Sequence, residues 1–141
     1  MASFVLDASV AFSWCFPGDP TENTSDSRAV LNRLEQADAV VPEIWPFEIA
    51  NSLYVSFARR KRITEEQIGE YLRNLRLLPI RIERQHLWTS VSLESLAREH
   101  RLSAYDVSYL DLAVRLDLPL APADEPLRKA AIGAGAKLLE P

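Results

Sequence analysis

Apolar positions along this chain alternate between short unbroken runs and helical spacings. Phe4-Val-Leu6 is a short apolar strand that stops at an acid, Asp7, and passes through Ala8 and Ser9 into a second apolar segment. That segment is predicted as a short helix from Ser9 to Phe16, closed by the turn cluster Pro17-Gly-Asp-Pro20. Val30, Leu31 and Leu34 have helical spacing between Arg28 and Gln36, and Ala39-Val-Val41 is a short buried strand ending at Pro42. A long amphipathic helix is expected from Trp45 to about Arg60, with Pro46 suited to its first turn and Ile49, Leu53 and Phe57 as its apolar stripe. Thr64-Glu-Glu-Gln67 has the form of a capping box for a further helix to about Leu77.

Pro79 to Ile82 alternates as a strand does, and Leu87, Val91, Leu93, Leu96 and Ala97 give helical spacing between Gln85 and His100. Ser103 reads as the N-cap of a helix to about Asp117, which Pro119 stops. Leu118 to Ala121 is another short strand, followed by Asp124 and a helix from Pro126 to about Ala131. Gly133-Ala-Gly135 ends that helix, and Ala136 to Leu139 is expected as a last edge strand. Strands alternating with helices argue a parallel α/β sheet covered on both faces. At 141 residues the chain reads as one domain, 1–141, around a single core.

Composition narrows the chemistry. With 48% hydrophobic and 26% charged residues the chain is an ordinary globular sequence, and no apolar run approaches the roughly 20 residues that a bilayer requires. The first apolar run has no basic region before it and ends at Asp7, so a cytoplasmic location is expected. The single cysteine, Cys15, excludes an internal disulfide and a cysteine-based zinc site, and two histidines argue against a histidine-rich one. Any bound metal must therefore be held by oxygens. The net charge of −4 gives the whole chain no attraction to nucleic acid, so such binding needs a local patch, for which Arg59-Arg-Lys-Arg62 is the candidate. A basic run closing a helix is explained almost equally well by the helix dipole.

The acids then become the centre of interest. Asp7 sits at the carboxyl end of a buried strand, where open α/β sheets bind ligands, and Asp124 repeats that position after a second strand. Taken alone, Asp124 reads as an N-cap for the helix beginning at Pro126. On the helical wheel Asp106 falls within the stripe of Tyr109, Leu110, Ala113 and Val114, where a charge requires compensation; the bland alternative is an acid in a first helical turn. Asp111 and Arg115 fall on the opposite side as an expected surface pair. Glu48 lies on the Ser52 and Ser56 side of its helix, facing solvent or a cleft, with Asn51 one turn on. Four acids gathered at one edge could not all stay ionised without a cation, and hard oxygen ligands suit Mg²⁺ or Mn²⁺, which serve phosphoryl transfer.

Taken together, Val5 to Val10, Pro46 to Leu53, Ser103 to Leu110 and Leu120 to Leu127 resemble the PIN-domain family, and most closely the VapC toxins of toxin–antitoxin pairs. The four motifs come in the family's order and at family-like spacing over nearly the whole chain. The resemblance implies a three-layer α/β/α sandwich with a five-stranded parallel sheet, acting as a Mg²⁺- or Mn²⁺-dependent endoribonuclease. It places the family's acidic positions on Asp7, Glu48, Asp106 and Asp124, with Asp7, Asp106 and Asp124 at the metal, and its supporting polar positions on Ser9 and Asn51. It also implies an RNA substrate, a cognate antitoxin and a homodimer. One position departs from the pattern: Pro122 stands where the family often has Ser or Thr two residues before its last acid.

Other residues have competing uses. Trp14, Trp45 and Trp88, with Phe12, Phe16 and Phe57, can stack on unpaired bases or receive a partner, and core packing is the plainer reading. His86 and His100 are given no catalytic role. A non-catalytic PIN-like binding module is the competing function, and Pro122 is its best argument. A phosphoaspartate receiver would want paired acids at the first strand exit, and an aspartate-nucleophile phosphatase would want a second Asp where Ser9 stands.

Overall fold

The computed structural model describes residues 3–85, 89–122 and 124–140. His86, Leu87, Trp88 and Ala123, on which parts of the sequence reading fall, lie outside the described residues. The first strand, β1 (Phe4–Leu6), leads through Asp7 into helix α1 (Ala8–Ser13), and α2 (Ser25–Arg33) follows. Helix α2 starts three residues before Arg28 because the Thr24 side chain accepts a hydrogen bond from the Ser27 N–H and caps it. After β2 (Ala39–Pro42) come α3 (Trp45–Ala58) and α4 (Glu65–Leu75). The Thr64/Gln67 capping box of α4 forms with both of its reciprocal bonds. Strand β3 (Ile80–Glu83) precedes α5 (Thr89–His100) and α6 (Ala104–Leu116), and Ser103 caps α6 through the Asp106 N–H. Asp117 ends α6 in the left-handed region (φ 53°), and β4 (Leu120–Ala121) and α7 (Glu125–Gly133) follow.

The four strands are parallel in the order β3-β2-β1-β4. Val5 stands opposite both Val40 of β2 and Leu120 of β4, so β1 is the centre of the ladder. Successive residues of a strand point to opposite faces, and Phe4, Val5 and Leu6 are all buried, as are all four residues of β2. Both faces of the sheet are therefore covered, which is why these strands are unbroken apolar runs. Helices α2 and α3 pack on α1, and α4 joins α1 through the Tyr71 hydroxyl, while α5 packs on α6. Helix α6 packs across β1, β2 and β4 beneath α5, as the chain returns from one edge of the sheet to the other.

The sheet has four strands, not the five expected. The segment expected as a fifth strand, Ala136 to Leu139, makes only an isolated parallel bridge, Leu138 to Leu120. Leu120 N–H donates to the Lys137 carbonyl at 2.9 Å, and Leu139 N–H donates to the Leu120 carbonyl at 2.8 Å. The physical reason lies in β4. Every second residue of a strand faces a given neighbour, and the next such position after Leu120 is Pro122, which has no N–H to extend the ladder.

Three side-chain expectations also change. Phe57 is 38% exposed, while Ser56 is buried with Trp45, Ile49 and Leu53, so the buried stripe of α3 runs through Ser56. Asp111 is not on the surface. It is 2% exposed, because α6 is covered by the sheet on one side and by α5 on the other, and every residue from Val107 to Ala113 is buried. The pairing with Arg115 does form, at 2.8 Å, and Ser92 of α5 also donates to Asp111 at 3.3 Å. Val114, expected within the buried stripe, is exposed.

Candidate functional site

Strand β1 passes to β2 on one side while β4 flanks it on the other, which makes the carboxyl ends of β1 and β4 the crevice where open α/β sheets take ligands. Asp7 is the first residue beyond β1 and is 6% exposed. Its backbone is extended, its Oδ1 accepts the Ser9 N–H at 3.1 Å, and its own N–H donates to the Ala121 carbonyl of β4 at 3.3 Å. Ser9 contributes this amide, while its side chain is exposed in the first turn of α1.

Glu48 lies in the first turn of α3, where a carboxylate is favoured by the helix dipole, and is half-buried at the flank of the buried stripe. The Tyr109 hydroxyl donates to its Oε1. Burial pushes the Glu48 carboxyl above its ordinary range, the charge of Asp106 pushes it further, and the Tyr109 bond offsets part of the rise. Asp106, in the first turn of α6, is partly exposed, and its N–H is taken by the Ser103 cap. Asp106 is thus the first-turn acid of the plainer reading, not a charge buried on the stripe, and it lies near enough to Glu48 for its charge to be felt there.

Tyr109 joins these groups. It is 1% exposed, and its hydroxyl accepts the Ala8 N–H at 3.4 Å while donating to Glu48. Burial, then Glu48, then the charge of Asp7 raise its phenol well above the ordinary tyrosine range. The sequence reading counted Tyr109 only as core. The available signal was a phenol on a buried stripe three residues after an acid, because a buried tyrosine hydroxyl needs a partner.

Asp124 caps α7, its Oδ1 accepting the Leu127 N–H at 2.9 Å, and is exposed at the exit of β4. Asn51 is exposed on α3, one turn beyond Glu48. Arg59, Arg60 and Lys61 are exposed where α3 ends. Arg62 has structural partners: it pairs with Glu22 at 3.1 Å and Asp19 at 3.7 Å, and its guanidinium lies 4.4 Å from the centre of the Phe16 ring. Phe16 in turn meets Phe12 edge-on, and Trp14 donates its ring N–H to the Ser27 carbonyl at 2.8 Å, so these aromatics serve packing between elements. Trp88 and His86 lie outside the described residues.

A family model of the PIN domain matches residues 4–133. Among solved structures, the chain is similar to the crystal structure of PAE2754 from Pyrobaculum aerophilum, with a TM-score of 0.68 at 17% identity, over 92% of this chain and 84% of that one. A search of curated proteins gives no match.

Proposed function

We propose a metal-dependent endoribonuclease, from the premise that this chain belongs to the PIN-domain family. The observation that carries the reading is the convergence of acids from separate elements on one phenol. The Tyr109 hydroxyl bonds Glu48 of α3 and the Ala8 amide directly after Asp7, and Asp106 stands one turn earlier on the same helix.

The donor set is oxygen only, which suits Mg²⁺ or Mn²⁺. Neither Glu48 nor Asp106 enters an ion pair among the described residues, so the cluster carries negative charge that a cation would offset. Among the described residues no three His, Cys, Asp or Glu side chains group closely enough to form a ligand set by themselves. The fit therefore rests on donor chemistry and charge, not on a preformed cage. Asp7, Asp106 and Asp124 would hold the ion, and Glu48 would orient its water. Such an ion, when bound, polarises a phosphodiester oxygen and lowers the pKa of water. Glu48 Oε1 accepts the Tyr109 hydroxyl, and its other oxygen would orient or deprotonate the attacking water. Ser9 donates its amide to Asp7, and Asn51, exposed one turn beyond Glu48, would contact phosphate.

RNA as substrate, the toxin role, the antitoxin partner and the homodimer are supported by the four motifs and their order. A cavity of about 410 Å³, with Trp14, Leu31, Tyr71 and Leu75 on its apolar side and Gln67, Glu70 and Asn74 on its polar side, is compatible with an amphipathic partner segment. The test is cleavage of a structured RNA pool in Mg²⁺, Mn²⁺ or EDTA, beside Asp7→Asn prepared identically. Cleavage is expected to require metal and to fall in the variant by roughly a hundredfold or more, the scale of removing one pre-organised electrostatic group. Equal inactivity of both preparations, with no metal binding on titration, would leave a PIN-like binding module as the reading.

A further inference from the structure

We propose that Tyr109 is a positioning residue which, through one hydroxyl, fixes Glu48 relative to Asp7; the inference rests on the nuclease reading above. The direction of its two hydrogen bonds is set by chemistry. The Ala8 amide can only donate, so Tyr109 Oη accepts from it, and the single hydroxyl hydrogen is committed to Glu48 Oε1. Ala8 directly follows Asp7, so the atom that holds Glu48 is anchored to the segment that carries the first acid. The ring supplying it is among the largest fully buried side chains and sits on α6, which packs across β1, β2 and β4, so the phenol has a rigid base. Asp106, three residues earlier on the same helix, repels Glu48. The Tyr109 bond is the only side-chain hydrogen bond to Glu48 among the described residues. Phenylalanine at 109 would keep the packing volume and remove the hydroxyl with both of its bonds, freeing the half-exposed Glu48 from the Ala8 segment.

A double-mutant cycle of Tyr109→Phe, Glu48→Gln and the double variant tests this, with kcat and KM on RNA and Mn²⁺ affinity by titration calorimetry as separate readouts. Urea melts define conditions in which all four proteins are folded. Tyr109→Phe is expected to lower kcat by about ten- to a hundredfold, the scale of losing a supporting hydrogen bond to a metal-site group, with KM little changed, and to weaken Mn²⁺ binding. The double variant is expected to match Glu48→Gln in both readouts, because the hydroxyl acts through Glu48. A second variant, Glu48→Asp, withdraws the carboxylate from an intact Tyr109 and is expected to reproduce the fall in kcat. Additive effects, or a Tyr109→Phe protein equal to wild type, overturn the inference while a metal-dependent wild type upholds the nuclease. A wild type that neither cleaves RNA nor binds Mn²⁺ removes both.

Discussion

Glu48 illustrates how one residue can work against the fold that holds it. Its folded-state carboxyl is raised above the ordinary value of 4.5 by burial and by Asp106, so folding favours the protonated form. The sign is opposite to that of a salt-bridged acid. Glu48 contributes stability fully below about pH 4.5, and that contribution is lost as pH rises through the raised folded-state value, leaving an ionised group that opposes folding at neutral pH. In EDTA, Glu48→Gln should therefore melt higher than wild type at pH 7, and the gap should close below the ordinary carboxyl value. Thermal melts at the two pH values check this, and a Gln variant no more stable at pH 7 would show that burial and Asp106 impose no cost. The same substitution is expected to reduce cleavage, so stability and activity part at this position.

At the scale of elements, helix α6 carries the most. Its N-terminal turn presents Asp106, its next turn supplies Tyr109, and its opposite face buries Asp111 under α5. A buried carboxylate holds its place only while paired. Arg115→Ala would leave Asp111 with Ser92 as its remaining side-chain partner among the described residues, and breaking a buried pair costs on the order of 3–5 kcal/mol. Arg115 is one-third exposed, which screens the interaction, so destabilisation near or below the lower end of that range is expected in urea melts. Losses near zero would mean that α5 moves aside to hydrate Asp111. The caps of these helices could be read locally: Thr64, Ser103 and Asp124 all act as sequence chemistry predicts, each through its own side chain. The burial of Asp111 could not be read in this way, because a helical wheel shows one apolar stripe and α6 is covered on two sides.

For the whole molecule, the geometry separates the acid cluster from the basic segment. A helix rises about 1.5 Å per residue, so Arg59 lies roughly 16 Å along α3 from Glu48. If the segment contacts RNA, it does so beyond the reacting bond and through phosphates. Arg59→Ala, Arg60→Ala and Lys61→Ala combined should weaken RNA binding and flatten its salt dependence by about one unit of slope per lost contact. Arg62→Ala should act differently, lowering stability with little change in salt slope, since Arg62 ties the end of α3 to Asp19, Glu22 and Phe16. Filter binding across a salt series, with melts alongside, distinguishes the two; an unchanged slope in the triple variant would remove the segment from the RNA path. No helix among the described residues is long and apolar enough to cross a membrane.

The sequence alone determined the parts governed by local rules. An apolar run ending at Asp7, a Pro46 start, a capping box at Thr64 and an N-cap at Ser103 each follow from interactions within a few residues, and the four motifs identified the family. Tertiary structure decided what depends on which elements become neighbours. The fifth strand fell to a single bridge because Pro122 cannot donate to Ala136–Leu139, a pairing visible only once those segments are adjacent. Asp111 moved inside because α5 folds over it, and Arg62 left the basic cluster because residues about 40 positions earlier come to meet it. Tyr109 became more than core because its hydroxyl reaches Ala8 and Glu48, 101 and 61 residues away in the chain. Spacing along a chain fixes which face a side chain takes, and only the packed fold determines what that face meets.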